Sequence, residues 1–171
     1  MAKAIKPAES LLRALLAQYL DFLTNEKRCS VHTIKAYKYD LEAFRTTLDI
    51  DDWLNCTSNE IRQFIGILHI AGRSPRTIGR ALSSLRNFYA FLVRRGIATE
   101  NPTAGIRAPK MKIPLPKSLD TDQAAKLFEN KTATRIEIRD RAIIEILYSS
   151  GVRLAELVSL NIKDLDLANG F

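Results

Sequence analysis

No run of residues in this 171-residue chain approaches the ~20 consecutive apolar positions a membrane-spanning helix needs, which excludes an integral helical membrane protein. The stretch Met1 to Ser10 lacks the apolar core of a cleaved signal, so secretion by that route is not expected. Two cysteines, Cys29 and Cys56, are too few for a disulfide scaffold, and the expected location is a reducing cytoplasm. With only two histidines, a metal site would have to draw on Cys29, His32, Cys56 and His69. Their spacing matches no zinc pattern, so no metal or other cofactor is expected. A glycine-rich phosphate loop and a Ser/His/Asp constellation are also missing.

What is present is ordinary globular material: 46% hydrophobic and 26% charged residues, which excludes a wholly disordered chain. The net charge of +7 is unevenly placed. Residues 1–72 are neutral and residues 118–171 carry −2, while residues 73–117 hold ten Lys/Arg against Glu100 alone, or +9. Such clustering is the electrostatic footprint of a polyanion binder, although basic surfaces also serve solubility alone.

The first 96 residues are predicted to form four helices. Leu12, Leu15, Leu16, Tyr19, Leu20 and Leu23 recur at helical spacing, giving a first helix over about residues 8–26. Ser30 offers an N-cap to a second, carrying Ile34, Tyr37, Leu41, Phe44 and Leu48. After an acidic turn at Asp49–Asp52, Thr57-Ser58-Asn59-Glu60 has capping-box spacing and opens a third, which Gly72 ends. Ser74-Pro75 starts the fourth and Gly96 closes it. Short connections between amphipathic helices predict a compact bundle. Pro102, Pro109, Pro114 and Pro116 then break the pattern, so residues 97–118 read as a basic, extended linker. Beyond it are expected a short helix from Gln123 to Asn130 capped by Asp120, an apolar helix over about Glu137–Ser150 stopped by Gly151, and a helix from Arg153 to Leu160. Ile162 to Leu167 alternates like the start of a strand, before an Asn169-Gly170 hairpin turn.

The fourth helix separates into two faces. At about 100° per residue, Arg80, Ser83, Asn87 and Arg94 fall within ~40° of Arg76, while Ile78, Leu82, Leu85, Tyr89 and Leu92 fall on the opposite side. Arginine, hydroxyl and amide groups on one face are those that meet phosphates and base edges in a major groove. His32, Lys35 and Tyr39 likewise lie off the apolar stripe of the second helix. With Arg73, Lys110 and Lys112 they complete the expected double-stranded DNA surface; a solvated arginine face on an ordinary bundle helix fits the same residues. Arg153 also admits two readings. Directly after the Gly151 break, its fork and a helix start both favour a phosphate. Alternatively it forms an i,i+3 surface pair with Glu156, a weak interaction in water.

The stretch from Arg139 to Leu167, with Tyr148-Ser149-Ser150-Gly151-Val152-Arg153-Leu154-Ala155-Glu156-Leu157 at its centre, closely resembles the start of the catalytic domain of the tyrosine recombinase (phage integrase) family, and most closely its XerC branch. The likeness runs through nearly the whole chain. Ser30-x-x-Thr33 with Tyr37, Asp40-Leu41 and Phe44 resembles the family's second helix, and Leu82-Ser83-Ser84-Leu85-Arg86-x-Phe88-Tyr89-x-Phe91-Leu92 its fourth. Asn101-Pro102 and Leu115-Pro116-Lys117-x-Leu119 match its linker and second-domain entry.

The resemblance implies a mainly α chain. Residues 1–96 would be a four-helix, SAM-like core-binding domain and residues 119–171 the truncated, helical start of an α+β catalytic domain. It implies metal-free chemistry, in which a tyrosine attacks a DNA phosphodiester to give a 3′-phosphotyrosyl link. Arg153 would be the first catalytic arginine, on the scissile phosphate, and Glu156 a supporting residue. It further implies site-specific recombination, with chromosome dimer resolution in cell division as the expected task, in a tetramer with a XerD-like partner recombinase. The chain departs from the pattern after Arg153: no His, Arg or Tyr follows, so the His-x-x-Arg motif and the nucleophilic tyrosine have no counterpart. As a fragment it is expected to bind DNA without cleaving it. A mobile-element integrase shares this architecture, and a non-catalytic DNA-binding or helical protein-interaction module remains open on the same residues.

Overall fold

The computed structural model describes residues 7–110 and 134–164, with Asp120, Asp122, Gln123 and Lys126 between them. These residues form six α-helices and no strand, so the described fold is all α. The chain divides into two compact units, Met1–Ile113 and Pro114–Phe171.

Four helices build the first unit: α1 (Pro7–Asp21), α2 (Val31–Leu48), α3 (Ser58–Ile70) and α4 (Pro75–Arg94). The capping signals act as expected. Ser30 and Ser74 hydroxyls accept from the Thr33 and Thr77 N–H groups at 3.2 Å. Glu60 accepts from the Thr57 N–H at 2.6 Å, closing the capping box of α3. The first helix differs from the expected uniform one. After Asp21 it loosens into a π-helical turn, Phe22–Glu26, and Arg28 then takes a left-handed φ of 49°. Asp49, also left-handed at φ 51°, ends α2.

The core is aromatic. Tyr19, Phe44, Trp53, Phe64, Phe88 and Tyr89 are all buried, and Phe88 stands edge-on to Tyr19 at 5.3 Å and to Trp53 at 4.9 Å. Trp53, immediately after the acidic turn, is tied in by its indole N–H to the Leu12 carbonyl (3.1 Å), and the Tyr89 hydroxyl donates to the Trp53 carbonyl (3.0 Å). The apolar face assigned to α4 is the buried one: Ile78, Leu82, Leu85, Tyr89 and Leu92 are all inside.

Residues 97–108 do not extend away from α4 as a linker. They lie back along it, with Pro102, Thr103 and Ile106 buried. Arg86 donates to the Ile106 carbonyl (2.9 Å), Asn101 to the Arg86 carbonyl (3.1 Å) and Ser58 to the Pro102 carbonyl (2.8 Å). The prolines break the helix, but side-chain donors on α3 and α4 capture the carbonyls so freed.

In the second unit, the Asp120 carboxylate accepts from the Gln123 N–H at 2.7 Å, the cap expected there; most of the helix read as Gln123–Asn130 lies outside the described residues. Helix α5 (Arg135–Ser150) begins two residues earlier than expected because Thr134 and Glu137 form a second capping box. Gly151 stops it at φ 62°, and α6 (Leu154–Ser159) follows. No described side chain of this unit is buried. Ile162–Asp164 is a 3₁₀ turn and not the start of a strand. Asp164 accepts from the Asn161 N–H at 2.9 Å while its own N–H reaches the Asn161 carbonyl at 2.9 Å, a local closure that outcompetes extension. Leu165 to Phe171, including the Asn169-Gly170 turn, lie outside the described residues.

Candidate nucleic-acid interface

The basic segment at residues 73–117 resolves into cations with different duties. Arg86 faces the returning segment through the Ile106 carbonyl, and Arg95 pairs with Glu26 while lying 5.6 Å over the Phe91 ring. Neither is part of the α4 arginine face. Arg73, Arg76, Arg94, Arg107 and Lys110 are exposed, and Lys112 lies outside the described residues.

Arg80 is the exception within the expected face. Its Nη1 donates to Asp40 Oδ2 at 2.7 Å and to the Ala36 carbonyl at 3.2 Å, joining α4 to α2. The Asp40 side chain is 4% exposed and that of Arg80 38%. Ser84 donates to the same carboxylate oxygen at 2.8 Å. Burial is the largest influence on Asp40 and holds its carboxyl above the ordinary value, against the opposing pull of the Ser84 hydrogen bond and the Arg80 charge. Arg80 therefore braces the interface from within, where the helical projection alone presents it as a free cation. The signal available in the sequence was Asp40, an acid placed directly beside the Tyr37/Leu41/Phe44 stripe.

Asn87, exposed on α4, donates to the Tyr37 hydroxyl at 3.2 Å and to the Ser83 carbonyl at 3.0 Å; Ser83 is half-buried. The Tyr37 contact, like Asp40, was missed at the level of sequence because Tyr37 reads there as a core residue. His32, Lys35 and Tyr39 are all exposed on α2. At about 100° per residue, His32 and Tyr39 lie within about 60° of Ala36, whose carbonyl Arg80 contacts, so their stripe borders the α4 face. Lys35 lies about 100° from Ala36, further round. Arg76, Arg80, Ser83, Asn87 and Arg94 thus lie on one side of α4, with His32 and Tyr39 of α2 beside it and Lys35 further round.

Arg153 lies in the second unit. Its Nη1 meets Glu156 Oε1 at 2.9 Å and its backbone N–H meets Glu156 Oε2 at 2.8 Å, so the i,i+3 pair allowed by the sequence is made. The Arg153 backbone N–H first, and then its side chain, hold the exposed Glu156 carboxyl below its usual value. The Arg153 side chain stays 85% exposed. Among the described residues no three His, Cys, Asp or Glu side chains gather as metal ligands. Cys29 and Cys56 are free thiols, and burial pushes Cys56 up to about 11.

Comparison with known proteins identifies the architecture. Residues 16–96 match the family model of the phage integrase N-terminal SAM-like domain, and residues 117–171 that of the phage integrase family. The chain is 44% identical over 151 residues to the tyrosine recombinase XerC of Alcanivorax borkumensis, covering 87% of this chain and 49% of that protein. It is 40% identical over 167 residues to XerC of Vibrio vulnificus strain YJ016, covering 96% of this chain and 53% of that one. The chain spans about half the length of the curated relatives it matches. In fold it is similar to a lambda integrase dimer bound to a COC′ core site, at a TM-score of 0.65 with 21% identity, over 91% of this chain and 43% of that one. It is also similar to the integrase of mycobacterium phage Brujita, at a TM-score of 0.56 with 16% identity, over 91% of this chain and 51% of that one. With residues 16–96 and 117–171 matching the two phage integrase models, and with tyrosine recombinase relatives at 40–44% identity over most of its length, the chain belongs to the phage integrase family of tyrosine recombinases.

Proposed function

We propose that this chain is the DNA-binding N-terminal part of a XerC-like tyrosine recombinase, and that the face shared by α2 and α4 lies on duplex DNA. The observation that carries the proposal is the exposed side of α4, where Arg76, Ser83, Asn87 and Arg94 line up opposite a fully buried apolar face and beside the α2 stripe of His32 and Tyr39. Cations and amides held on rigid, packed helices are suited to phosphates and groove edges. XerC relatives at 40–44% identity over most of the chain support the same reading. Arg73, just before α4, and Lys110, two residues past the Ala108 that packs by Gly79, extend the cationic surface near the start of that helix.

For the whole protein the proposed activity is site-specific recombination through a 3′-phosphotyrosyl intermediate, in the cytoplasm, with a XerD-like partner in a tetramer on two DNA sites. Arg153 is the proposed donor to the scissile phosphate. A guanidinium matches two phosphate oxygens at once, and its donors are worth most where charge builds on a pentacoordinate phosphorus. Glu156 supports it by holding both the Arg153 backbone and one guanidinium nitrogen.

Duplex binding measured against salt tests the reading. With ~6 phosphates neutralised, log K falls with log salt at a slope near −5. Arg76→Ala, which breaks no hydrogen bond or ion pair among the described residues, weakens binding and makes that slope shallower by about 1. A flat salt response ends the DNA reading, whereas normal binding by the Arg76 variant places the DNA surface elsewhere. In the complete protein, Arg153→Ala is expected to leave site binding intact and abolish strand cleavage in a suicide-substrate assay. Loss of binding instead reassigns Arg153 to the scaffold.

A further inference from the structure

Between the π-helical turn, α2 and the end of α4 lies a cavity of about 270 Å³. Tyr19 and Phe22 are buried in its wall, while Lys27, Asn87 and Arg94 are exposed at its mouth, with Tyr37 between. The π ladder places the first cation. The Lys27 N–H closes onto the Phe22 carbonyl at 3.0 Å, which turns the chain back over that residue and sets Lys27 Nζ 5.9 Å from the Phe22 ring centroid. Arg94 Cζ sits 6.0 Å from the centroid of the same ring. Two cations thus share one ring, yet no acidic residue lines the cavity and neither cation has an ion-pair partner among the described residues. The neighbouring acids are engaged elsewhere: Asp21 with Asn25, and Glu26 with Arg95.

The polar groups between the cations have hydrogen to donate. Asn87 donates to the Tyr37 oxygen, which leaves the Tyr37 hydroxyl proton for another acceptor. The fully buried Tyr19 hydroxyl has no hydrogen-bond partner among the described residues. Two like charges with spare donors and no counter-charge make a site for an anion. Position along α4 selects which anion. From Arg76 to Arg94 is about 27 Å at 1.5 Å per residue, against a major groove about 12 Å wide, so the ends of the helix meet backbone while its middle faces the groove. A π-helical turn and a left-handed arginine are also devices that recur at binding sites.

We propose that this cavity is a phosphate site, in which Lys27 and Arg94, both beside Phe22, hold one backbone phosphate of the bound duplex, with the Tyr37 hydroxyl, held in place by Asn87, donating between them. The site rests on the DNA reading above and adds Lys27, a residue outside the basic segment, to the duplex surface. It binds by charge and hydrogen bonds alone, so it contributes affinity and register without selecting sequence.

The experiment is a salt titration of duplex affinity for Lys27→Gln, Arg94→Gln and the double variant, on two unrelated 30-base-pair duplexes, with Arg76→Ala alongside. Both side chains are exposed, and circular dichroism melting checks that the variants remain folded. Each single variant should make the log K against log salt slope shallower by about 0.9 and weaken both duplexes equally, with Lys27→Arg retaining the wild-type slope. An unchanged slope in the double variant, alongside a shallower one for Arg76→Ala, overturns the phosphate site while leaving the DNA reading standing. A wild-type protein with no salt-dependent binding removes both. The source of the phosphate is separated by following the Asn87 side-chain amide by NMR. Saturation by duplex supports a backbone phosphate; saturation by inorganic phosphate with no response to duplex overturns it in favour of a free-anion site.

Discussion

Replacing Arg80 by methionine is expected to lower the stability of the first unit by about 3 kcal/mol at neutral pH, because it leaves the buried Asp40 carboxylate without its cation. Methionine keeps the apolar stem against the helices, so the loss reports the ion pair and not the packing. The expected size sits at the lower end for a broken buried pair. Arg80 is 38% exposed, and water can follow the departing guanidinium. Ser84 still donates to the carboxylate, which also limits the loss. Arg80→Met combined with Asp40→Asn should recover part of the stability, since the uncompensated charge is then gone.

The pH dependence gives this prediction its sign. A carboxyl whose folded-state value lies above its unfolded one contributes stability that is complete below the unfolded value and is lost as pH rises through the folded one. Asp40 is such a group in the wild-type chain, through burial. Taking away Arg80 removes one of the influences that lower it, so in the variant the carboxyl rises further and the loss extends to higher pH. The penalty is therefore expected to be smaller at an acidic pH, where Asp40 is protonated, than at neutral pH, because its carboxyl is held above the ordinary value by burial. Chemical denaturation at the two pH values, followed by Trp53 fluorescence, measures it; equal penalties at both would show that Asp40 carries no charge in the fold. Duplex binding by this variant falls for two reasons at once, which is why Arg76 is the cleaner probe of the interface.

Phe88→Ala carries the other large effect, a loss of about 3–5 kcal/mol. The ring is fully buried and is the point where α4 meets α1 through Tyr19 and the α2–α3 turn through Trp53. Truncation removes the transfer free energy of the ring and leaves a cavity among aromatic neighbours that have little freedom to collapse. The specific edge-to-face contacts add about 0.5–1.5 kcal/mol per pair to what is lost. Phe88→Leu should cost clearly less, because it retains much of the volume. Trp53 is the chain's single tryptophan and lies 4.9 Å from the Phe88 ring, so its emission reports the change at the site. A drop of the denaturation midpoint with an unchanged slope against denaturant is the expected signature. Because the arginine face of α4 is held by its packed reverse side, duplex affinity should decline only where the bundle has unfolded.

Much of this was legible from local chemistry. Ser30, Thr57 and Ser74 mark helix starts because a side-chain oxygen there satisfies an otherwise orphaned N–H within three residues. The two faces of α4 follow from the 3.6-residue period, which needs no knowledge of the partner it packs on. The π-helical turn after Asp21 was not legible, since the apolar spacing of Leu16, Leu20 and Leu23 is compatible with an unbroken helix. The return of residues 97–108 was hidden for a different reason: its hydrogen bonds come from Ser58 and Arg86, up to 44 positions away in the chain.

For the candidate site the division is similar. The sequence by itself determined which residues carry charge, that one helix presents arginines opposite an apolar face, and, through its motifs, that the chain belongs among the tyrosine recombinases. Periodicity, capping and motif order are all local properties, written within a turn or two of each residue. The tertiary structure alone decided what each cation faces. Arg80 and Arg86 turn inward to Asp40 and the Ile106 carbonyl, Arg76 stays open, and Lys27 comes to stand with Arg94 over one phenylalanine. A charge acts on whatever lies within a few ångströms of it, and in a folded bundle those neighbours come from helices tens of residues apart.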